Sequence, residues 1–161
     1  NVINVQSIYN LYGQRPNDYF FDMVNKKNVG IIVRVPLASG LLSGKLTRES
    51  TFNANDHRHG NRNGEWFDKG ETFAGVPFET GLEAVEELNE IFNGYDSLAQ
   101  VALKWILLNQ KISVIIPGAS KLQHIPINMR AGDIAQFSHN QIIAAQHVYQ
   151  TMIKPYVHDL W

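Results

Sequence analysis

Three short apolar segments, rich in β-branched residues, constrain the fold of this chain more than any other feature. They are Val2–Tyr9, Val29–Pro36 and Ile112–Pro117. Each segment is almost continuously apolar rather than alternating, which is typical of strands buried on both faces of a parallel sheet. Each is also followed by turn residues and then by a helical pattern. This alternation predicts an α/β fold built from βαβ units.

Amphipathic periodicity predicts the helices between and after these strands. They are Asn17–Lys27, Glu79–Phe92, Ser97–Asn109, Lys121–Arg130 and a C-terminal helix of about residues 138–153. Ser97 and Ser138 are the expected N-caps, and Pro155 is expected to end the last helix. A long Gly- and Asn-rich loop, about residues 38–77, follows the second strand. Three such units cannot close an eight-stranded barrel of about 250 residues, but they fit part of one.

Composition narrows the class of protein. With 161 residues, of which 44% are hydrophobic, the chain can bury one core, so a single domain over residues 1–161 is expected. Its 14 basic and 15 acidic residues give a net charge of -1, which favours neither nucleic acid nor an anionic membrane as partner. No apolar run reaches the roughly 20 residues that span a bilayer, and no signal-peptide pattern is visible, so a cytoplasmic location is expected.

Two further observations concern cysteine and the start of the chain. The sequence has no cysteine, which excludes disulfide scaffolds, thiolate nucleophiles and zinc ribbons. The first five residues already have the character of a strand and no methionine precedes them. We therefore expect a truncated piece of a longer protein.

The connection after the second strand, Val35–Lys45, has residues suited to a phosphate. Its small residues let the backbone approach a ligand closely, Ser39 and Ser43 offer hydroxyls, and Lys45 offers a positive charge. It is not a P-loop, because three residues rather than four separate its two glycines, and leucine follows the lysine. An ordinary glycine-containing loop is the alternative interpretation of this segment.

A similar connection, Ile115–Lys121, follows the third strand and is expected to open a helix. Backbone N–H groups at that helix start, with Ser120 and Lys121, would attract an anion. In parallel barrels the loops after strands seven and eight commonly form a phosphate site. Two neighbouring loops of this kind therefore predict a binding site for a phosphate-bearing ligand.

Several segments together resemble bacterial aldo-keto reductases. The similarity is carried by Val29–Lys45, by parts of the loop between Asp56 and Phe73, and by Ser97–Trp105, Ile116–Ala119 and Lys154–His158. It extends over essentially the whole chain. It implies a (β/α)8 TIM-barrel fold of which only the C-terminal half, strands six to eight with their helices, is present. It also implies hydride transfer from a nicotinamide cofactor to an aldehyde or ketone.

The resemblance assigns cofactor-binding roles to individual residues. Gln6 would hold the nicotinamide carboxamide, and Arg34 would stack on the nicotinamide ring. The pyrophosphate loop would comprise Pro36, Leu37, Ser39, Gly40 and Lys45. Arg58, with Arg62, would belong to a mobile basic loop that folds over the phosphates. The adenosine end would be held by Gly118, Ser120, Lys121, His124 and Asn128. Because Ser120 and Lys121 could bind a 2′-phosphate, NADPH is favoured over NADH.

The family's catalytic tyrosine, lysine, aspartate and histidine lie in the first half of the barrel, so no catalytic residue is predicted here. The chain is expected to be inactive alone and to meet its carbonyl substrate only with the missing half. Tyr9 and Tyr12 are interpreted as core or wall residues. Asp56, His57 and His59 are interpreted as a polar loop rather than a metal site. Pro126 is expected to lie inside a helix, to kink it and to reshape the adenosine end.

Two other functions stay open at this point. The chain could be a non-catalytic half-barrel, a binding or structural module that associates with itself through its open sheet edges. It could also be a regulatory subunit that senses the state of the cofactor.

Overall fold

A computed structural model describes residues 1–160, so Trp161, the last residue of the predicted domain, lies outside the described residues. The three predicted strands are present in shorter form and make one parallel sheet in the order β1-β2-β3. They are β1 (Asn4–Ile8), β2 (Gly30–Arg34) and β3 (Val114–Ile115). Parallel pairing aligns Gln6 with Ile32 and Ile32 with Val114. All three carboxyl ends therefore meet at one edge of the sheet.

Seven α-helices lie within residues 1–160 and follow the predicted order. They are α1 (Phe20–Asn25), α2 (His57–Gly60), α3 (Phe78–Ile91), α4 (Leu98–Leu107), α5 (His124–Met129), α6 (His139–Val148) and α7 (Lys154–Val157). The predicted long loop contains α2 and three 3₁₀ segments, Ala38–Ser43, Lys69–Glu71 and Phe73–Gly75. Short helical turns therefore give this region a defined course.

One face of the sheet is covered by helices. Ile31 and Val33 of β2 are fully buried against Phe21 and Val24 of α1 and Ile106 of α4. Burying an aliphatic side chain of this size contributes about 1.5–3 kcal/mol, so this contact fixes α1 and α4 on the sheet. Next to it, the Tyr9 ring is 3% exposed and stacks on the Trp105 ring at 5.1 Å between centroids. Tyr9 is thus a core residue, as predicted.

The opposite face of the sheet is covered only at its carboxyl end within residues 1–160, where Ile8 is 7% exposed. The side chains that alternate with the buried ones are Gln6, Ile32 and Arg34, and Val114 and Ile116 beside them are 45% and 47% exposed. The expectation that the strands are buried on both faces is therefore wrong for this chain. The apolar composition of the strands predicts a buried environment, but in the described part of the chain most of this face is exposed to solvent.

The larger core lies beside the sheet, between α3, α4, α6 and the 38–43 segment. Tyr12, which is fully buried, donates a hydrogen bond of 2.7 Å from its hydroxyl to the Gly81 carbonyl of α3. Tyr12 is thus also a core residue. Gly81 packs directly on Leu41, because a Cβ there would come within 2.7 Å of the leucine Cδ1. The loop that follows β2 is therefore anchored to α3.

Three predictions about helix ends have different outcomes. Ser138 caps α6 in a capping box with Gln141, as predicted. Ser97 stands at the N-cap position of α4, but its side chain makes no capping hydrogen bond. The prediction that Pro155 ends the last helix is wrong, because α6 continues through a π-helical turn, Tyr149–Ile153, into α7. Pro155 is the second residue of α7 and directly follows the π-helical turn.

The expectation that Pro126 kinks a helix is also wrong. The structure has α5 over His124–Met129, shorter than the predicted Lys121–Arg130. Pro126 is therefore the third residue of α5, and the N–H it lacks is one of the four that no helix satisfies internally. At the other end of α5, the Gln100 amide donates a hydrogen bond of 2.9 Å to the Ile127 carbonyl. The segment keeps a regular helical course.

We predict that Tyr12→Phe lowers the free energy of unfolding by about 1–2 kcal/mol, because the Gly81 carbonyl loses its buried donor. Urea denaturation followed by circular dichroism measures this difference. The matched control is Tyr19→Phe, which removes the same hydroxyl from a residue that is 72% exposed. Equal stabilities of the two variants would contradict a buried hydrogen bond at Tyr12.

Candidate functional site

A cleft of about 660 Å³ lies beside the connections that follow β2 and β3. Its volume is in the range of small-molecule binding sites. Most of the residues predicted to bind the cofactor line it: Pro36, Leu37, Ser39, Gly40, Lys45, Arg58, Gly118, Ser120, His124 and Asn128. Tertiary structure thus brings together residues that are up to 92 positions apart, since Pro36 and Asn128 contribute to the same cleft.

Three of the predicted residues do not line this cleft. Gln6 is exposed on the uncovered face of the sheet, and Arg34 lies on the same face at the end of β2. Val35, the next residue, is where the cleft wall begins. Lys121 is exposed beside the lining residue Ser120. These three positions therefore surround the cleft rather than form its wall.

The wall formed by the connection after β2 has an unusual backbone. Val35, Ala38 and Ser39 have φ values of 52°, 46° and 55°, although none is glycine. Such conformations cost about 1–3 kcal/mol each and persist where surrounding contacts enforce them, often at ligand sites. One such contact comes from Asn10, which is fully buried and donates a hydrogen bond of 2.8 Å to the Val35 carbonyl. The sequence analysis did not single out Asn10.

Residues 61–76, which we call the strap, run beside this wall. The buried amide of Asn61 accepts hydrogen bonds of 2.9 Å from the N–H groups of Trp66 and Phe67. The same amide donates to the Thr72 hydroxyl at 3.0 Å. Asn61 and Thr72 are 0% and 1% exposed, so buried hydrogen bonds hold the strap in its fold.

Aromatic residues of the strap divide into two groups. Phe73 is buried in the larger core, whereas Trp66 and Phe67 are 52% and 45% exposed. The Trp66 ring lies directly against Gly60, where no Cβ would fit. None of the three lines the cleft described above. Phe73 thus attaches the strap to the core.

An ion pair joins the strap to β2. The Arg34 guanidinium donates two hydrogen bonds of 2.6 Å, one to each carboxylate oxygen of Glu71. This bidentate geometry is the strongest form of an arginine–carboxylate contact. It holds the pKa of the Glu71 carboxyl below its usual value. Glu71 was missed from sequence, because its spacing of 37 residues from Arg34 carries no local signal.

A second ion pair fixes Arg58 at the cleft. Asp56 accepts hydrogen bonds of 2.9 and 2.6 Å from the Arg58 side chain and also caps α2 by accepting from the Arg58 N–H. The guanidinium lies over the Phe52 ring, 4.5 Å from its centroid. The side-chain hydrogen bonds from Arg58 are the main cause that lowers the pKa of Asp56 to about 2. Arg62 instead lies over the Phe78 ring at 4.5 Å and does not line the cleft.

The remaining polar groups of the cleft come from the connections after both β2 and β3. Within residues 1–160, no aspartate or glutamate forms a salt bridge with Lys45. Across the cleft, the Ser120 hydroxyl is 3.5 Å from His124 Nδ1, and the Asn128 amide donates to the Gly118 carbonyl at 3.3 Å. The donors therefore lie on both walls.

Two other properties bear on the class of site. In the described part of the chain, no three histidine, cysteine or acidic side chains are grouped as metal ligands, and Asp56 is held by Arg58. No helix between residues 1 and 160 combines the length and the apolar character needed to cross a membrane.

A second cleft, of about 410 Å³, lies against β3 and is mostly apolar. Its wall includes Leu103 and Leu107 of α4, Val114 of β3, and Ile125 and Met129 of α5. It has no cationic side chain among its lining residues. It is therefore less suited to a phosphate-bearing ligand than the first cleft.

Comparison with known proteins agrees with this arrangement. The model of the Aldo/keto reductase family matches residues 1–150. The chain is 30% identical over 129 residues to an L-glyceraldehyde 3-phosphate reductase of Escherichia coli O157:H7, covering 79% of this chain and 36% of the relative. It is 28% identical over 137 residues to a probable voltage-gated potassium channel subunit beta of Oryza sativa subsp. japonica, covering 80% and 38%.

A solved structure shows the same fold. The glycerol dehydrogenase AKR11B4 from Gluconobacter oxydans superposes with a TM-score of 0.71 at 20% identity, over 96% of this chain and 43% of that chain. Because the identity is low, this similarity concerns the fold alone. The chain thus spans less than half the length of the relatives it matches.

We predict that Asp56→Asn lowers the melting temperature only above about pH 4. The ion pair to Arg58 lowers the pKa of Asp56 from 3.8 to about 2, so its contribution is present above the unfolded value and is lost as the pH falls through that range. Asparagine still caps α2, so only the ion pair is removed. Melting curves followed by circular dichroism at pH 2 to 7 measure the difference, with Asp133→Asn as control. A difference at pH 2 as large as that at pH 7 would contradict the prediction.

Proposed function

The chain belongs to the aldo/keto reductase family, and from this we propose that it forms the cofactor-binding part of an NAD(P)H-dependent oxidoreductase acting on aldehydes or ketones. The observation that carries the proposal is the single cleft that collects the polar ends of both strand-to-helix connections. The bound cofactor would supply the hydride that adds to the carbonyl carbon. The residues of this chain would bind and orient it.

The donor set fits a dinucleotide. Lys45 on one wall and the Ser120 hydroxyl on the other could hold a chain of phosphates between them. The Ser39 and Ser43 hydroxyls line the same wall as Lys45 but donate within the chain, to the Glu71 and Gly40 carbonyls. The positive-φ backbone of residues 38–40 brings main-chain atoms close to such a ligand. Apolar surface for the flat rings is present as well, since Pro36, Leu37, Ala119 and Ile127 also line the cleft.

The nicotinamide and adenosine ends would lie at opposite sides of this phosphate site. Gln6 and Arg34 share one face of the sheet, and there they would hold the nicotinamide. Ser120 and Lys121, with His124 and Asn128, would hold the adenosine end. Because Ser120 and Lys121 add a hydroxyl and a positive charge there, NADPH is the proposed form and NADH the weaker ligand.

Proton donation to the carbonyl oxygen would come from outside this chain. Tyr12 is fully buried and its hydroxyl is used by the Gly81 carbonyl. Burial raises the pKa of Tyr9 to about 12, and its ring lies in the core beside α1. Neither tyrosine lines the cleft. We therefore propose that the chain binds the cofactor but does not turn over substrate alone.

For Lys45→Ala we predict that the dissociation constant of NADPH rises about tenfold, because a charge-assisted contact to a phosphate is lost. Isothermal titration of the 161-residue chain with NADPH and with NADH measures this, and NADPH is expected to bind more tightly. The control is Lys27→Ala, an exposed lysine that precedes β2, at the opposite end of the strand. Equal binding by both variants would contradict the phosphate site.

A turnover assay tests whether the chain needs an N-terminal half for activity. With NADPH and a simple aldehyde, the chain alone is expected to leave the absorbance of NADPH at 340 nm unchanged. Addition of a polypeptide that carries the N-terminal half of an aldo/keto reductase barrel is expected to restore oxidation. Turnover by the 161-residue chain alone would overturn the proposal.

A non-catalytic module is the second candidate, and the uncovered sheet face favours it. Val114 and Ile116 on that face and the apolar cleft against β3 are surfaces on which copies of the chain could associate. Sedimentation distinguishes the candidates, since a stable dimer without cofactor affinity would support the module.

A regulatory, cofactor-sensing role is the third candidate, and the similarity to a probable potassium channel beta subunit is compatible with it. That role would give cofactor binding without turnover in the complete protein.

A further inference from the structure

The ion pair between Arg34 and Glu71 lies where the nicotinamide is proposed to bind. Arg34 is the last residue of β2, and its side chain is 36% exposed. It shares a face of the sheet with Gln6, two register positions away. Both nitrogens at the tip of the guanidinium are used by Glu71, at 2.6 Å each. The planar faces of the guanidinium are not used by those two in-plane hydrogen bonds.

Glu71 is held in place by the strap. Its carbonyl accepts a hydrogen bond of 3.2 Å from the Ser39 hydroxyl, which in turn accepts one of 3.2 Å from the Phe73 N–H. The next residue, Thr72, is bound by the buried Asn61. Contacts on both sides therefore fix the backbone at Glu71. A carboxylate fixed in this way determines the position and the net charge of the group at the end of β2.

Net charge matters here because the two redox states of nicotinamide differ by one charge at the ring. The oxidised ring is a cation, whereas the reduced ring is neutral. An unpaired guanidinium in contact with the ring would repel the oxidised form and leave the reduced form unaffected. The pair that a guanidinium forms with a carboxylate has no net charge, so it repels neither the oxidised nor the reduced ring.

We propose that Glu71 sets the preference of the cleft between oxidised and reduced cofactor, by neutralising the arginine that faces the nicotinamide. This inference rests on the proposed function and adds to it a residue that controls redox-state selectivity. Glu71 is a positioning residue, since it acts through Arg34. Its effect is on the ratio of two affinities rather than on either affinity alone.

The experiment measures the dissociation constants of NADP⁺ and NADPH for the 161-residue chain and four variants. In Glu71→Gln the ratio of the NADP⁺ constant to the NADPH constant is expected to rise about fivefold, the upper range for a partly exposed ion pair. In Arg34→Gln the carboxylate is left unpaired, and the ratio is expected to fall. In the double variant Arg34→Gln, Glu71→Gln both charges are absent, and the ratio is expected to return towards that of the unaltered chain.

The matched control is Glu79→Gln. Glu79 also pairs with an arginine, Arg48, at 3.0 Å, but on the exposed surface of α3, so the same change there should leave the ratio unchanged. If Glu71 only supports the strap, both forms of the cofactor weaken together and the ratio stays constant, which overturns the inference. If the unaltered chain binds neither form, the proposed function fails, and this inference fails with it.

Discussion

Parallel pairing of the three strands is the constraint on which the rest of the structure depends. Because parallel strands point the same way, the connections after β2 and β3 leave the sheet at the same edge. Lys45 and Ser120 lie in these two connections, and they therefore line the same cleft. Burial of Ile31 and Val33 under α1 and α4 fixes this pairing from one side. The other side has no such cover within the described residues, which is why the chain is best understood as part of a barrel.

The cleft is shaped by strained backbone that buried polar groups stabilise. Three non-glycine residues of the connection after β2, Val35, Ala38 and Ser39, have positive φ, and each conformation is unfavourable by itself. The compensating contacts are distributed, since Asn10 holds the Val35 carbonyl and Leu41 packs on Gly81 of α3. Removing the Asn10 side chain would leave the Val35 carbonyl without its hydrogen-bond donor. The shape of the cleft therefore depends on contacts with buried residues.

Charge at the cleft is arranged in pairs. Two arginines, Arg34 and Arg58, are each bound by one carboxylate in bidentate geometry, whereas Lys45 has no such partner in the part of the chain described. Paired arginines offer flat, neutralised surfaces, and an unpaired lysine offers a positive charge. For the dinucleotide proposed as ligand, Arg34 would face a ring and Lys45 the phosphates. It also explains why a basic loop predicted from sequence contributes less positive charge than its residues imply.

The sequence by itself determined the order of strands and helices and the core role of Tyr9, because hydrophobic periodicity is a local signal. The family was identified from the resemblance of Val29–Lys45 and several other segments to aldo-keto reductases, and the family model agrees. Tertiary structure alone decided that Glu71 pairs with Arg34, that Asn61 orders the strap and that Pro126 falls harmlessly in a first turn. Such contacts join residues far apart in sequence or depend on where a helix begins. Their energies arise only once the chain has folded, so no local pattern encodes them.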